Sequence, residues 1–226
     1  MAVNAVIFDW GGTLTPWHSI DHAELWRAVC APHFPVDHHD RAAAALAAEE
    51  EFWHLARTGQ RSSTIFGVLQ RAGIEPTDDL LASYVQAWQP HTFTDPDGHG
   101  LLSYLRDRDI RTGVLSNTMW PRSWHEDVFR RDGVLHLIDG AVYSSEIDRT
   151  KPHPEAFLAA MAAIGATNPA SCVFVGDRPW DDIHGAKSLG MRAVLLPNDD
   201  VPPFDEAEPD AVISRLSELP ALIESW

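Results

Sequence analysis

Six short apolar runs constrain this chain most: Val3 to Phe8, Thr112 to Leu115, Val134 to Tyr143, Cys172 to Val175, Ala193 to Leu196 and Ala211 to Ile213. They are short and β-branched, which predicts buried strands. Helical stretches fall between them, at Gly98 to Asp107, Trp120 to Arg131, Pro154 to Ile164 and Asp182 to Leu189. Strands that alternate with helices predict a parallel sheet covered on both faces. Such sheets gather their sites at the carboxyl ends of the strands.

Residues from about Ile20 to His91 break that rhythm. They carry helical patterns at Ala23 to Cys30, His38 to Thr58, Ser63 to Ala72 and Thr77 to Trp88, punctuated by Pro32, Pro35, Gly59, Gly73 and Pro76. The expected organisation is a core domain made of residues 1–18 and 92–226, with an all-helical domain, residues 19–91, inserted into it. Within that insertion RAAAALAAEEEF favours helix, and Glu49 to Glu51 read as a solvated face.

Asp and Glu outnumber Lys and Arg by 33 to 17, a balance that repels phosphate polyanions and anionic membranes. The expected partner is therefore a small-molecule substrate, with no nucleic acid and no membrane. MAVNAVIFDW lacks the basic head of a secretory signal, and no apolar segment reaches membrane-span length. Cys30 and Cys172 match no metal or redox spacing and read as reduced thiols, which points to a cytoplasmic location.

Four expected strand ends and loops carry polar residues. The first strand ends at Asp9, the second at Ser116 and Asn117, the fourth at Gly176 and Asp177, and Lys151 opens KPHPEAF just before a helix. A nucleophilic carboxylate, a hydroxyl and amide to hold an anion, a lysine to neutralise it and a second carboxylate for a metal make a phosphoryl-transfer set. Each alone reads equally as a cap or turn former.

Taken together, FDWGGTL, GVLSNT, TKPHPEAF and FVGDRPWDDIHGAKSLGM resemble the four motifs of the haloacid dehalogenase-like (HAD) hydrolase superfamily, in order and over nearly the whole chain. A helical insertion directly after the first motif resembles the cap of its first subclass. The resemblance implies an α/β, Rossmann-like core with sheet order 5-4-1-2-3 and a mobile cap over the site. It implies that Asp9 is the nucleophile and that Mg2+ sits between Asp9, the Gly11 carbonyl and Asp177. Ser116 would bond the transferring phosphoryl group and Lys151 would neutralise it. Asp182, with Asp181 as a rival, would be the second acid of the fourth motif, while Thr13 and Asn117 would shape the site and Gly12 would permit the turn after the strand.

Gly11 departs from the pattern. Most phosphatases of the superfamily have there an aspartate that protonates the leaving oxygen and later activates water. Three readings follow: a magnesium-dependent phosphatase whose proton is moved by water or by His18, Asp21 or Asp181; a 2-haloacid dehalogenase, whose halide needs no proton; and a catalytically weak binding or regulatory protein. Dehalogenases of the superfamily place an aromatic residue at this position and dispense with the metal, so the retained Gly176 and Asp177 favour the phosphatase. Phosphonoacetaldehyde hydrolases begin similarly, with Asp-Trp-Ala-Gly-Thr, but need a cap lysine, and this chain has none between Pro16 and Thr150.

Trp10, Trp17, Trp120 and Trp180 stand beside motif residues, either filling the core and cap hinge or lining a pocket for an apolar or aromatic leaving group. His18 is a further pocket candidate, and Arg178 reads as a substrate contact or a surface ion pair. His18 with His22, and DHHD at Asp37 to Asp40, read as polar helix starts in solvent with no third zinc ligand.

Overall fold

The computed structural model describes residues 2–198, 200–201, 204 and 208–226. One parallel sheet of six strands runs in the order β3-β2-β1-β4-β5-β6. Its strands are β1 (Ala5–Phe8), β2 (Arg111–Ser116), β3 (Gly140–Tyr143), β4 (Cys172–Gly176), β5 (Arg192–Leu195) and β6 (Ala211–Val212). The expected order 5-4-1-2-3 is present, and β6 extends the sheet beyond β5. The run from Val134 to Tyr143 divides: Leu135–Leu137 form a 3-10 turn, and only Gly140–Tyr143 pair with β2. Asp139 sets that entry, since its carboxylate accepts Thr112 N at 2.7 Å while its own N–H donates to Thr112 O at 2.8 Å.

Side chains that alternate along β1 build two layers. Val6 and Phe8 face a core that includes Leu101, Leu102 and Leu105 of α5 (Gly98–Asp107), Phe129 of α6 (Arg122–Arg131) and Leu219 and Ile223 of α9 (Leu219–Ser225). Ala5 and Ile7 face the other core, with Ala156, Phe157, Ala160 and Met161 of α7 (Pro154–Ala163) and Ala186 of α8 (Gly185–Ser188). Each large apolar side chain buried in these layers contributes about 1.5–3 kcal/mol. Helix α9 was not expected, although Pro220 in its first turn is a start signal.

Four helices of the insertion, α1 (His22–Cys30), α2 (His38–Gly59), α3 (Ile65–Arg71) and α4 (Asp78–Trp88), pack around a third core. Met119 and Trp120, from the loop after β2, belong to that core, and Trp10 packs on both it and the sheet. Main-chain bonds tie the helices to the sheet side, Ile65 N to Met119 O at 2.8 Å and Thr150 N to Gln60 O at 3.2 Å. The insertion thus stands directly over the carboxyl ends of β1 and β2. Among the described residues, no helix is long and apolar enough to cross a membrane.

Candidate functional site

Asp9 continues the β1 ladder for one more bond, its N–H donating to Val175 O at 2.9 Å. The chain then turns sharply: Gly12 N donates to Thr15 O and Thr15 N to Trp10 O, both at 2.8 Å. Gly12 has φ +82°, and a Cβ there would lie 2.4 Å from Asp177 Oδ2, so glycine is required both by conformation and by space. At Gly11 φ is ordinary and a Cβ would meet nothing within 4 Å. The fold therefore has room for a side chain at position 11.

Lys151 is buried with its Nζ 2.8 Å from Asp9 Oδ1 and 2.7 Å from Asp182 Oδ1. Asn117 fixes that loop with both ends of its amide, Oδ1 accepting Lys151 N at 2.8 Å and Nδ2 donating to Lys151 O at 3.1 Å. Burial opposes the charge on Lys151, but Asp182 and Asp9 outweigh it and hold the ammonium above the ordinary lysine range.

Asp182 reaches back because Pro179–His184 is a π-helical turn rather than the first turn of one long helix, a geometry that recurs at functional sites. Its Oδ2 accepts Arg178 N at 2.9 Å, and a Cβ on Gly176 would fall 2.3 Å from that oxygen. Burial raises the Asp182 pKa, with Lys151 opposing the rise. Asp177 Oδ2 accepts Asn198 Nδ2 at 2.6 Å, whereas its buried Oδ1 has no partner among the described residues. Burial, with Asp9 and Asp182 close by, pushes Asp177 up to about 8.

Oxygens of Asp9, Asp177 and Asp182 lie within 4.8 Å of one another. Asp182 spends both oxygens on Lys151 and Arg178 N, so Asp9 and Asp177 are the carboxylates left for a cation. The orphan Asp177 Oδ1, in an all-oxygen set, fits a hard divalent ion.

Above these groups opens a cavity of about 650 Å3, lined among others by Asp9, Gly11, Ser116, Asn117 and Lys151. Of the sequence candidates it also takes in Trp10, Trp17, His18, Trp120, Arg178 and Asp181. Asp177, Asp182 and Thr13 are buried outside its lining. Trp180 is outside as well: it is exposed and stacks on His184 at 4.4 Å, so it neither fills the core nor lines the pocket. Asp21 is no acid for this cavity either, because its carboxylate caps α1 by accepting Glu24 N at 2.9 Å.

Two further expectations require correction. Glu49 is not on a solvated face; it is buried, lines the cavity, and accepts His22 Nδ1 at 3.0 Å, Trp26 Nε1 at 2.5 Å and Trp53 Nε1 at 3.4 Å. His22 accordingly lines the cavity while its side chain stays partly exposed, and Trp53, Tyr84 and Trp88 join the lining. His125 also escaped notice. Fully buried, it stacks on Tyr143 at 4.3 Å, meets the edge of Trp10 at 4.4 Å, and lies 3.2 Å through Nε2 from Thr118 Oγ1.

The family model for haloacid dehalogenase-like hydrolase matches residues 3–190. The chain is similar to glyceraldehyde 3-phosphate phosphatase of Methanopyrus kandleri, 30% identical over 167 residues that cover 67% of this chain and 70% of that protein. Among solved structures, a HAD phosphatase from Thermococcus onnurineus superposes with TM-score 0.71 at 21% identity, covering 98% of both chains. L-2-haloacid dehalogenase from Xanthobacter autotrophicus superposes with TM-score 0.67, also at 21% identity over 98% of both.

Proposed function

This chain belongs to the haloacid dehalogenase-like hydrolases, and from that membership we propose that it hydrolyses a small phosphomonoester through an aspartyl-phosphate at Asp9. The observation that carries the reading is the buried carboxylate Asp177, which keeps beside Asp9 an oxygen with no partner among the described residues. A dehalogenase has no use for a metal carboxylate there, whereas phosphoryl transfer does. The similarity to the dehalogenase is one of fold, and the curated relative named as a phosphatase supports phosphoester chemistry.

Mg2+ would be held by Asp9, the Gly11 carbonyl and Asp177, and would supply charge neutralisation for the incoming phosphate. Asp9 attacks phosphorus as the ester bond breaks, and water later attacks the same phosphorus and frees Asp9. Lys151 offsets the charge on Asp9 and on the phosphoryl oxygens, while Ser116 donates a hydrogen bond to them. Asn117 keeps Lys151 in register, and Asp182 holds the ammonium in place from the far side. Thr13 supports the turn that follows Asp9, and Asp181 and Arg178 border the pocket.

Residues 19–91 act as the cap in this reading, and the indole rings of Trp10, Trp17, Trp53, Trp88 and Trp120 suit an apolar organic group on the ester. The test is phosphate release from phenyl phosphate and halide release from 2-chloropropionate, each with magnesium and with chelator. Magnesium-dependent phosphate release is the expected result. Chelator-indifferent halide release would favour the dehalogenase.

A further inference from the structure

We propose that His22, oriented by buried Glu49, is the proton carrier to and from the reacting oxygens, standing in for the acid absent at Gly11. The proposal rests on the phosphatase reading and adds a catalytic residue to it.

The geometry favours His22 over His18. Its Nδ1 is fixed by Glu49 Oε1 at 3.0 Å, so Nε2 is left as the exchanging nitrogen. Glu49 is itself immobilised, because Trp26 Nε1 and Trp53 Nε1 donate to it from two further sides. A carboxylate that holds an imidazole by one nitrogen sets its tautomer and orientation. The ring also meets Trp88 edge to face at 5.6 Å, which packs it against α4. His22 and Glu49 line the same cavity as Asp9, Ser116 and Lys151. By contrast, His18 meets the His91 ring at 5.6 Å and has no hydrogen bond among the described residues.

The charged groups facing His22 are Glu49 and Glu50 from α2 and Asp21 from the turn before α1, all negative. The hydrogen bond that the ring donates to Glu49 leads, partial burial opposes it, and the net effect raises the pKa of the imidazole. The protonated, acid form of the ring is thereby favoured.

In the first half-reaction a carboxylate oxygen of Asp9 bonds to phosphorus, and the ester oxygen leaves with the bonding pair. That oxygen takes the proton from Nε2 of the imidazolium. In the second, neutral Nε2 accepts a proton from water as the water oxygen bonds to phosphorus and the phosphorus–Asp9 bond breaks. Ester and water become alcohol and phosphate, and His22 ends as it began. The Nδ1 proton stays on the ring, donated to Glu49 Oε1, throughout.

The experiment compares 4-nitrophenyl phosphate, whose leaving group needs no proton, with ethyl phosphate, whose leaving group does. His22→Gln is expected to lower kcat/KM, which reports the first half-reaction alone, by ~10² to 10⁴ on ethyl phosphate, the usual worth of a general acid, and to leave kcat/KM on 4-nitrophenyl phosphate within a few-fold. Adding Gly11→Asp to that variant is expected to restore ethyl phosphate turnover. The unaltered protein supplies a measurement that needs no variant: kcat/KM on ethyl phosphate should fall with an alkaline limb absent for 4-nitrophenyl phosphate. Glu49→Gln should move that limb to lower pH. Equal losses on both esters, or matching pH profiles, would overturn the role of His22 while leaving the phosphatase reading intact. Phosphate release that survives Asp9→Asn, or no release from either ester by the unaltered protein, would overturn the phosphatase reading, and this proposal with it.

Discussion

Replacing His125 by phenylalanine should reverse the sign of its effect on stability between neutral and acidic pH. His125 is fully buried, and burial, with the nearby Arg122 charge, lowers its pKa from 6.5 to about 3. Because the folded value lies below the unfolded one, the contribution of the neutral ring is complete above about pH 6.5 and is lost as pH falls toward 3. At pH 4.5 the unfolded chain gains a proton that the folded chain refuses, a difference of about 3 kcal/mol. Phenylalanine keeps the stack on Tyr143 and the edge contact with Trp10 but forfeits the contact with Thr118 Oγ1. That loss costs about 0.5–1.5 kcal/mol, moderated because Trp120 N still donates to Thr118 Oγ1. The variant should thus be about 1 kcal/mol less stable at pH 7 and about 1–2 kcal/mol more stable at pH 4.5. Urea denaturation of both proteins at both pH values measures the difference. Parallel acid losses in the two proteins would refute a neutral, desolvated His125.

Gly12→Ala should lose turnover and stability together, since φ of +82° and a Cβ 2.4 Å from Asp177 Oδ2 strain the backbone and displace a carboxylate by about 1–3 kcal/mol; thermal melts and kcat check both. Lys151→Met should destabilise by about 3–5 kcal/mol and abolish turnover, because it leaves Asp9 and Asp182 buried without their shared cation. A near-native melting temperature for Lys151→Met would show that those carboxylates are not held as ions.

Much of the sheet was legible because its strands are short β-branched runs that end in polar residues, and Asp9, Ser116, Lys151 and Asp177 could be placed from their order along the chain. The readings failed where one letter pattern served two environments. In EEE, helical spacing puts Glu49 in register with Ala42, Ala45, Phe52 and Ala56, the buried face of α2, while the identity of the letters suggested solvent. The same signal was present for His125, three and four residues before Val128 and Phe129 on the buried side of α6. Trp180 stands between motif residues, yet the π-helical turn aims Asp182 inward and leaves the indole on the surface. Sequence proximity does not reveal that rotation.

The most direct test of the account is to trap the intermediate. The protein is mixed with a phosphomonoester and magnesium, quenched with borohydride, which reduces an acyl phosphate to an alcohol, and its peptides are weighed. Conversion of Asp9 to homoserine, dependent on the ester, is the expected result. An unreduced Asp9 in a protein that is releasing phosphate would contradict nucleophilic attack by this carboxylate.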